Sequence, residues 1–353
     1  MAKSIYEIFE SKAIASYWTD VNVNMKDPMI GTKYFPVSKQ TGLNLAWIKG
    51  RNNLPVALQP SAFDTKAALR DRIGVKELST EMPFFREAMR IGEKDRQEIN
   101  KAMGAANANL IEPIINNIYD DVTNLVNGAE VQAERMRMQL LSSGLIAITA
   151  NRMDYDYNYK LPATHKDTLL TTAMWSATDT AKPVQDIQKW QDKIEEDTGT
   201  KPTRAICTRK TWNYLLANKS IRLDLDPIGG NNRIMTDTML KQYLAEKLEL
   251  TVAVYNKKYT TTVDGSGSLF FPDDVFTLLP DGDLGNTYYG TTPEESDLMA
   301  GNTDAQVEIV NTGVAITTVK EPHPVNVQTI VSAIELPSFE RIDEIFIATV
   351  HTE

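Results

Sequence analysis

A single apolar stripe runs through residues 109–143, NLIEPIINNIYDDVTNLVNGAEVQAERMRMQLLSS. Ile111, Ile114, Ile115, Ile118, Val122, Leu125, Val126, Ala129, Ala133, Met136 and Leu140 recur in steps of three and four, as one face of a helix does. Proline is tolerated only in a first turn, so Pro113 puts the start near Asn109, and Gly144 is placed to stop the helix. At a rise of about 1.5 Å per residue this makes about 50 Å of helix, more than one small domain can bury. Ile111, Ile115, Ile118, Val122, Leu125 and Ala129 also fit a heptad seam. Gln132 and Gln139 fall on that seam, however, Gly128 interrupts it, and the other apolar positions widen the face. The expectation is therefore a strut packed on a sheet of its own chain, rather than a coiled-coil dimer.

The rest of the chain is long enough to supply that sheet. Of 353 residues, 42% are hydrophobic and 24% charged, the balance of a folded protein with two or three substructures. The 37 basic and 47 acidic side chains leave a net charge of -10, and no window holds a dense Lys/Arg block, which argues against avid wrapping of nucleic acid. A lone cysteine, Cys207, excludes an internal disulfide framework and any cysteine-based zinc cluster. Lys3, Glu7, Glu10 and Lys12 break up the first residues, so no signal-peptide core is read there, and no stretch approaches the ~18 apolar residues of a membrane span.

Ahead of the strut, residues 4–18 suggest a short amphipathic helix, and VNVNMKDPMIGTK after it reads as an extended, loose arm. LNLAWIKG reads as a strand ending at Gly50, followed by a second limb from Leu54 to Leu78. Apart from Trp47, Leu58 and Phe63 this hairpin has few large apolar residues and lacks a core of its own. Pro83, Phe84 and Phe85 read as a packing knot between hairpin and strut. After the strut, DYDYNYK (154–160) imitates a calcium loop, but Tyr159 stands where the glycine is needed and His165 where the distal Glu belongs, so it reads as a strand with a wet face and an aromatic face.

From about 165 to 300 helices and strands alternate. PVQDIQKWQDKIEEDTG, RKTWNYLLANKS and TDTMLKQYLAEKLE read as helices; TRAICT, LTVAVYN, SLFFP and DVFTLLP read as strands; GDLGNTYYGTTPEESDLMAGNTD has the composition of a loop. The segment 305–353 is nearly all β-branched strand, expected to pair with strands near 145–160 beneath the long helix.

Chemistry is hard to find. His165, His323 and His351 are scattered, and HExxH, GxSxG, phosphate-loop and GxGxxG patterns are absent. DLDPIGGNN at 224–232 starts like a calcium loop but has Ile228 at a ligand position and Met235 at the final carboxylate. Carboxylate pairs such as Asp120–Asp121 and Glu195–Glu196 fit solvated helix faces better than acid/base couples. The reading is of no enzyme, no cofactor and no metal.

The order arm, hairpin, long helix, inserted α/β unit and strand-rich tail resembles the major capsid proteins of tailed phages, in the lambda capsid protein E branch. The segments that carry the resemblance are PFFRE (83–87), IYDD (118–121), ERMRMQLLSSG (134–144), TGTKPTRAICTRKTWNYLLANKSIR (198–222) and HPVNVQTIVSAIELPSFERIDEIFIATV (323–350). The resemblance implies an α+β chain with the Hong Kong 97-type capsid fold: an amino-terminal arm (1–34), an extended β-hairpin loop (35–82), a peripheral domain with the spine helix on an antiparallel sheet (83–160), an inserted α/β axial domain (161–304) and carboxy-terminal strands of the peripheral domain (305–353). It implies a structural protein that self-assembles through hexamers and pentamers into an icosahedral head enclosing double-stranded DNA, made in the host cytoplasm and resident in the virion. The extended loop would lie over an adjacent subunit, making Trp47, Leu58 and Phe63 interface residues. As the resemblance begins within the first residues, it leaves no room for a long built-in scaffolding domain, and so implies a separate scaffolding protein and a portal, with a decoration protein as a further partner. An encapsulin-like nanocompartment shell is the alternative with the same fold.

Overall fold

The structure is a computed structural model that describes residues 9–23, 29–49, 76–104, 108–150, 153–230, 234–262, 265–301, 305–323 and 325–352. In chain order its amino-terminal part contains α1 (Ser11–Val23), β1 (Val37–Lys39), β2 (Asn44–Lys49), β3 (Lys76–Glu81), β4 (Phe84–Ile91), α2 (Glu93–Gly104) and α3 (Ala108–Ser143). Then come β5 (Leu145–Ala150), β6 (Met153–Asn158), β7 (Lys166–Thr168), α4 (Pro183–Thr198), β8 (Arg204–Cys207), α5 (Arg209–Ala217), α6 (Lys219–Leu225), α7 (Asp237–Leu248) and β9 (Thr251–Val254). The remainder holds β10 (Lys258–Tyr259), β11 (Ser268–Leu269), β12 (Val275–Leu279), β13 (Thr287–Tyr289), α8 (Pro293–Ala300), β14 (Gln306–Val310), β15 (Val314–Pro322), β16 (Val325–Pro337) and β17 (Phe346–Thr349).

The strut is one uninterrupted helix, α3, ending where Gly144 adopts φ +74°, a left-handed conformation that costs glycine nothing. Its late carbonyls have no intrahelical donors, and that of Leu141 accepts instead from Thr277 Oγ1 at 2.8 Å.

The chain divides into two compact units. The first comprises residues 1–45, 79–136 and 286–338. Its sheet runs β1-β13-β16-β15-β14, and β4 pairs with β16 as well. Thus β16 has β15 along one edge, from Ala315↔Ser332 to Pro322↔Val325, and β4 followed by β13 along the other. Val122 and Val126 of α3 are buried against Val310, Val314, Ile316, Val331 and Ala333 of this sheet, and Ile14 and Trp18 of α1 enter the same core. Each aliphatic side chain so buried contributes about 1.5–3 kcal/mol. The expected helix on a sheet of its own chain is what this part of the stripe builds; Ile111, Ile114, Ile115 and Ile118 lie where side chains are not described.

The second unit comprises residues 46–78, 137–285 and 339–353. Its sheet runs β7-β17-β12-β8-β9, with β17 parallel to β7 and antiparallel to β12, and β8 antiparallel to β12 and parallel to β9. Helices α4, α5 and α7 bury Ile187, Trp190, Ile194, Trp212, Leu215, Leu240 and Leu244 in its core. Hairpin β5–β6 forms a separate two-stranded ladder, from Leu145↔Asn158 to Ala150↔Met153. Along β6 the alternation is as the sequence predicts, with Asp154, Asp156 and Asn158 exposed and Tyr155 and Tyr157 half-buried.

Four expectations are corrected. The tail does not pair with residues 145–160: β16 is taken by β4, β13 and β15, and β17 joins the sheet of the second unit. The packing knot is the start of a full strand, β4, which pairs with β16 from Phe84↔Ile334 to Ile91↔Val327. The loop-like segment after Gly285 contains β13 and the helix α8, capped by Thr292, whose Oγ1 accepts from the backbone of Glu295 at 3.2 Å. The arm is not loose where it is described: α1 extends to Val23, Gly31 and Phe35 are buried, and β1 pairs in parallel with β13.

Candidate assembly surfaces

The resemblance implies contacts with neighbouring subunits, so the elements of interest are the amino-terminal segment and the hairpin. The first is held to α3 by three acceptors spaced seven residues apart. Tyr17 Oη donates to Asp120 Oδ1 at 2.7 Å, Trp18 Nε1 to Asn127 Oδ1 at 2.8 Å, and the Gly31 amide to both oxygens of Glu134 at 3.1 Å. Seven residues return a helix to nearly the same side, drifting by about 20° per heptad, so the three acceptors form one row along the strut. The hydrogen bond to Asp120, reinforced by desolvation and by the carboxylate's charge, raises the pKa of Tyr17. Stacking of Tyr17 on Tyr119 with ring centroids 5.1 Å apart, and Ser11 Oγ donating to the Gln306 carbonyl at 2.7 Å, complete the attachment. Sequence reasoning missed this row because it followed the apolar stripe; the seven-residue recurrence of Asp120, Asn127 and Glu134 was the available signal.

Trp47 sits on β2 near the root of the hairpin. It is only 7% exposed and stacks on Tyr159 at 5.1 Å, which in turn meets Phe339 edge-on at 6.5 Å. The expectation that Trp47 lacks a core within its own chain is therefore corrected: the aromatic residue that ends the DYDYNY run supplies it. Desolvation holds the Tyr159 hydroxyl well above its ordinary pKa, as its burial requires. Leu58 and Phe63 lie outside the described residues.

In the second unit three buried tryptophans each donate an indole N–H to a carboxylate: Trp175 to Asp186 at 3.1 Å, Trp190 to Asp167 at 3.0 Å and Trp212 to Asp237 at 2.9 Å. These bonds satisfy the one polar atom that a buried indole carries. Burial raises the pKa of Asp186 in spite of its indole partner. An open groove of about 600 Å³ beside α4 is lined by Lys166, Asp167, Lys189, Trp190, Lys193 and Phe346. Of its charged groups, Asp167 is engaged by Trp190 and Lys193 bonds to Asp197 at 2.7 Å. The Cys207 thiol is fully buried, and desolvation pushes its pKa far up, which makes it a poor nucleophile. Among the described residues, no group of three or more His, Cys, Asp or Glu is arranged to hold a metal. No described helix is long and apolar enough to cross a membrane.

Two solved structures share this fold from end to end. The capsid protein of a prophage from E. coli CFT073 is 15% identical, with a TM-score of 0.59 over 97% of this chain and 99% of that one. A phage-related protein from Bordetella bronchiseptica RB50 is 13% identical, with a TM-score of 0.54 over 94% of this chain and 95% of that one. Strut, hairpin and two mixed units thus make the Hong Kong 97-type fold. The sequence profile of phage major capsid protein E matches residues 11–350, and the chain belongs to that family. It is a structural major capsid protein of a phage head, and the family match favours this over an encapsulin compartment. No curated protein matches the chain.

Proposed function

We propose that the chain builds an icosahedral head from hexamers and pentamers, with the segment beyond β2 and before β3 reaching over an adjacent subunit. The observation that carries this reading is the family match over residues 11–350. Leu58 and Phe63 are then contacts to the neighbour, while Trp47 anchors the hairpin root to Tyr159 of its own chain. Residues 1–34 act as the arm, 83–160 and 305–353 supply the peripheral domain apart from β17, and 161–304, whose sheet β17 completes, supply the axial domain whose loops gather at the symmetry axes. Each contact need only be modest, because many of them close the shell together.

A net charge of -10 suits a wall that encloses DNA without gripping it or reading its sequence. Assembly takes place in the host cytoplasm around a separate scaffolding protein and a portal, and the finished shell has room for a decoration protein. The protein acts as a structural subunit, with no catalytic turnover and no cofactor. Expression with and without the scaffolding protein, followed by negative-stain electron microscopy, tests this. Closed shells, or isolated hexamers and pentamers, are expected; a monomer or small dimer under every condition would contradict it.

A further inference from the structure

Both chain segments at the root of the hairpin are gripped by one turn of helix. Lys39 stands five residues ahead of the first residue of β2, Asn44, and Arg86 five residues beyond the last of β3, Glu81. Lys39 Nζ lies 2.5 Å from Glu295 Oε2 and donates to the Gly290 carbonyl at 3.1 Å. Arg86 Nη2 lies 2.6 Å from Glu294 Oε1, while the other oxygen of Glu294 accepts from Ser332 Oγ at 2.9 Å. The Arg86 guanidinium also rests 4.6 Å above the Phe84 ring. The two carboxylates are adjacent residues in the first turn of α8, where the helix dipole favours negative charge, and Thr292 fixes that turn by capping it.

Burial separates the two ion pairs. The Glu295 side chain is 8% exposed, so removing Lys39 strands a desolvated carboxylate; Arg86 is 47% exposed, and its pair with Glu294 owes more to geometry than to charge. Beneath the clamp the backbone packs tightly. A Cβ on Gly290 would meet Ile334 at 2.7 Å, the Met82 methyl at 2.8 Å and the Gly42 carbonyl at 2.9 Å, so only glycine lets the segments before and after the hairpin close on this point. The Met82 amide donating to the Leu43 carbonyl at 2.8 Å ties those segments to each other.

We propose that Glu294 and Glu295 are positioning residues for shell assembly: by pinning Arg86 and Lys39, they hold the entry and exit of the hairpin together so that it can reach a neighbour. The proposal rests on the capsid reading above. α8 reaches these two segments through the Lys39 and Arg86 ion pairs, so charge variants of the four residues probe its role there.

The test uses the full chain carrying Glu295→Lys, Lys39→Glu or both, with Glu294→Gln as a milder variant that keeps its shape. Three quantities are read: thermal midpoint, amide exchange at residues 42–45 and 79–82 in dissociated subunits, and the yield of closed shells by sedimentation and electron microscopy. Each single charge reversal is expected to speed exchange at the root at least tenfold and to cut shell yield at least tenfold, with a lowered thermal midpoint, since Glu295 is buried and each reversal sets like charges against each other. The double reversal restores both, and Glu294→Gln gives a smaller effect of the same kind. Exchange and yield unchanged by the single variants, or no recovery in the double variant, overturn the clamp while leaving the capsid reading intact. A wild-type chain that never closes shells overturns the capsid reading and with it the role in assembly, whereas the exchange data still decide whether the clamp exists.

Discussion

Both carboxylate oxygens of Glu134 lie 3.1 Å from the backbone nitrogen of Gly31, although more than 100 residues separate them in the chain and both are buried. This bond closes the row that Asp120 and Asn127 begin. A hydrogen bond to a charged acceptor contributes about 1.5–3 kcal/mol. Glu134→Ala should therefore speed exchange of the Gly31 amide by about tenfold or more, as every 1.4 kcal/mol is a factor of ten. Glu134→Gln, which retains a carbonyl oxygen, should show a smaller rise. Equal protection in all three proteins, measured by hydrogen exchange with mass spectrometry, would mean that the amino-terminal segment is held by α1 and β1 alone.

Trp47 and Phe63 should separate in their effects. Truncating a buried aromatic typically costs about 3–5 kcal/mol, and Trp47→Ala should fall near the lower end because Nε1 has no hydrogen-bond partner among the described residues. Trp47→Phe, which deletes that orphan donor and keeps a ring against Tyr159, should stay within about 1 kcal/mol of wild type. Phe63→Ala should leave urea unfolding of the isolated subunit unchanged and reduce shell yield. If Phe63→Ala destabilises the isolated subunit as much as Trp47→Ala does, the proposed neighbour contact is lost.

Acid should weaken the second unit through particular carboxylates. The pKa of Asp224 is lowered by hydrogen bonds from Tyr243 at 2.6 Å and Lys247 at 3.1 Å, and those of Asp237 and Asp197 are lowered by hydrogen bonds led by Arg209 and Lys193 respectively. A depressed carboxylate pKa stabilises the fold above the unfolded value of about 3.9, and that stability is lost as pH falls through the folded value. Asp224→Asn should therefore be less stable than wild type at neutral pH, and the difference should close below about pH 4. Urea midpoints across that range decide the matter; a difference that persists undiminished into strong acid contradicts it. Asp186, raised by burial, works in the opposite sense and favours the fold as it protonates.

Cys207 should resist thiol reagents in the native protein. Its side chain is fully buried on β8 and its pKa is raised, so modification must wait for unfolding. The labelling rate in mild urea should follow the unfolded fraction; rapid stoichiometric labelling in buffer alone would show that β8 opens locally.

What could be read from the sequence follows the range of the interactions involved. Helix α3 was legible because an eleven-position stripe, Pro113 and Gly144 all act locally. The same holds for α4, closed by Gly199 at φ +74°, and for α7, whose cap Thr236 accepts from the Met239 amide at 3.4 Å. Helix α8 was hidden by the surrounding Gly, Asn and Thr, although Thr292-Pro293-Glu294-Glu295 spells a capped helix start. β4 was hidden because its exposed stretch Arg86–Ala88 interrupts the alternation that marks a strand. The partners of Trp47, Gly31 and β17 could not be read, since nothing near Trp47 names Tyr159 and nothing near Gly31 names Glu134. The candidate site was therefore the least legible part: its hairpin stood out as a segment short of core, whereas the residues that hold its root are distant in sequence.

The place of β17 has a consequence for synthesis. The strand Phe346–Thr349 lies between β7 and β12, both finished long before it leaves the ribosome. Until then a nascent chain exposes two unpaired strand edges where the finished sheet is continuous, the condition in which chains associate wrongly or are degraded. A polypeptide cut short by a frameshift or a stalled ribosome before residue 346 cannot complete the second unit. Synthesis through Thr349 is thereby tested by folding itself, before any subunit is offered to a growing shell.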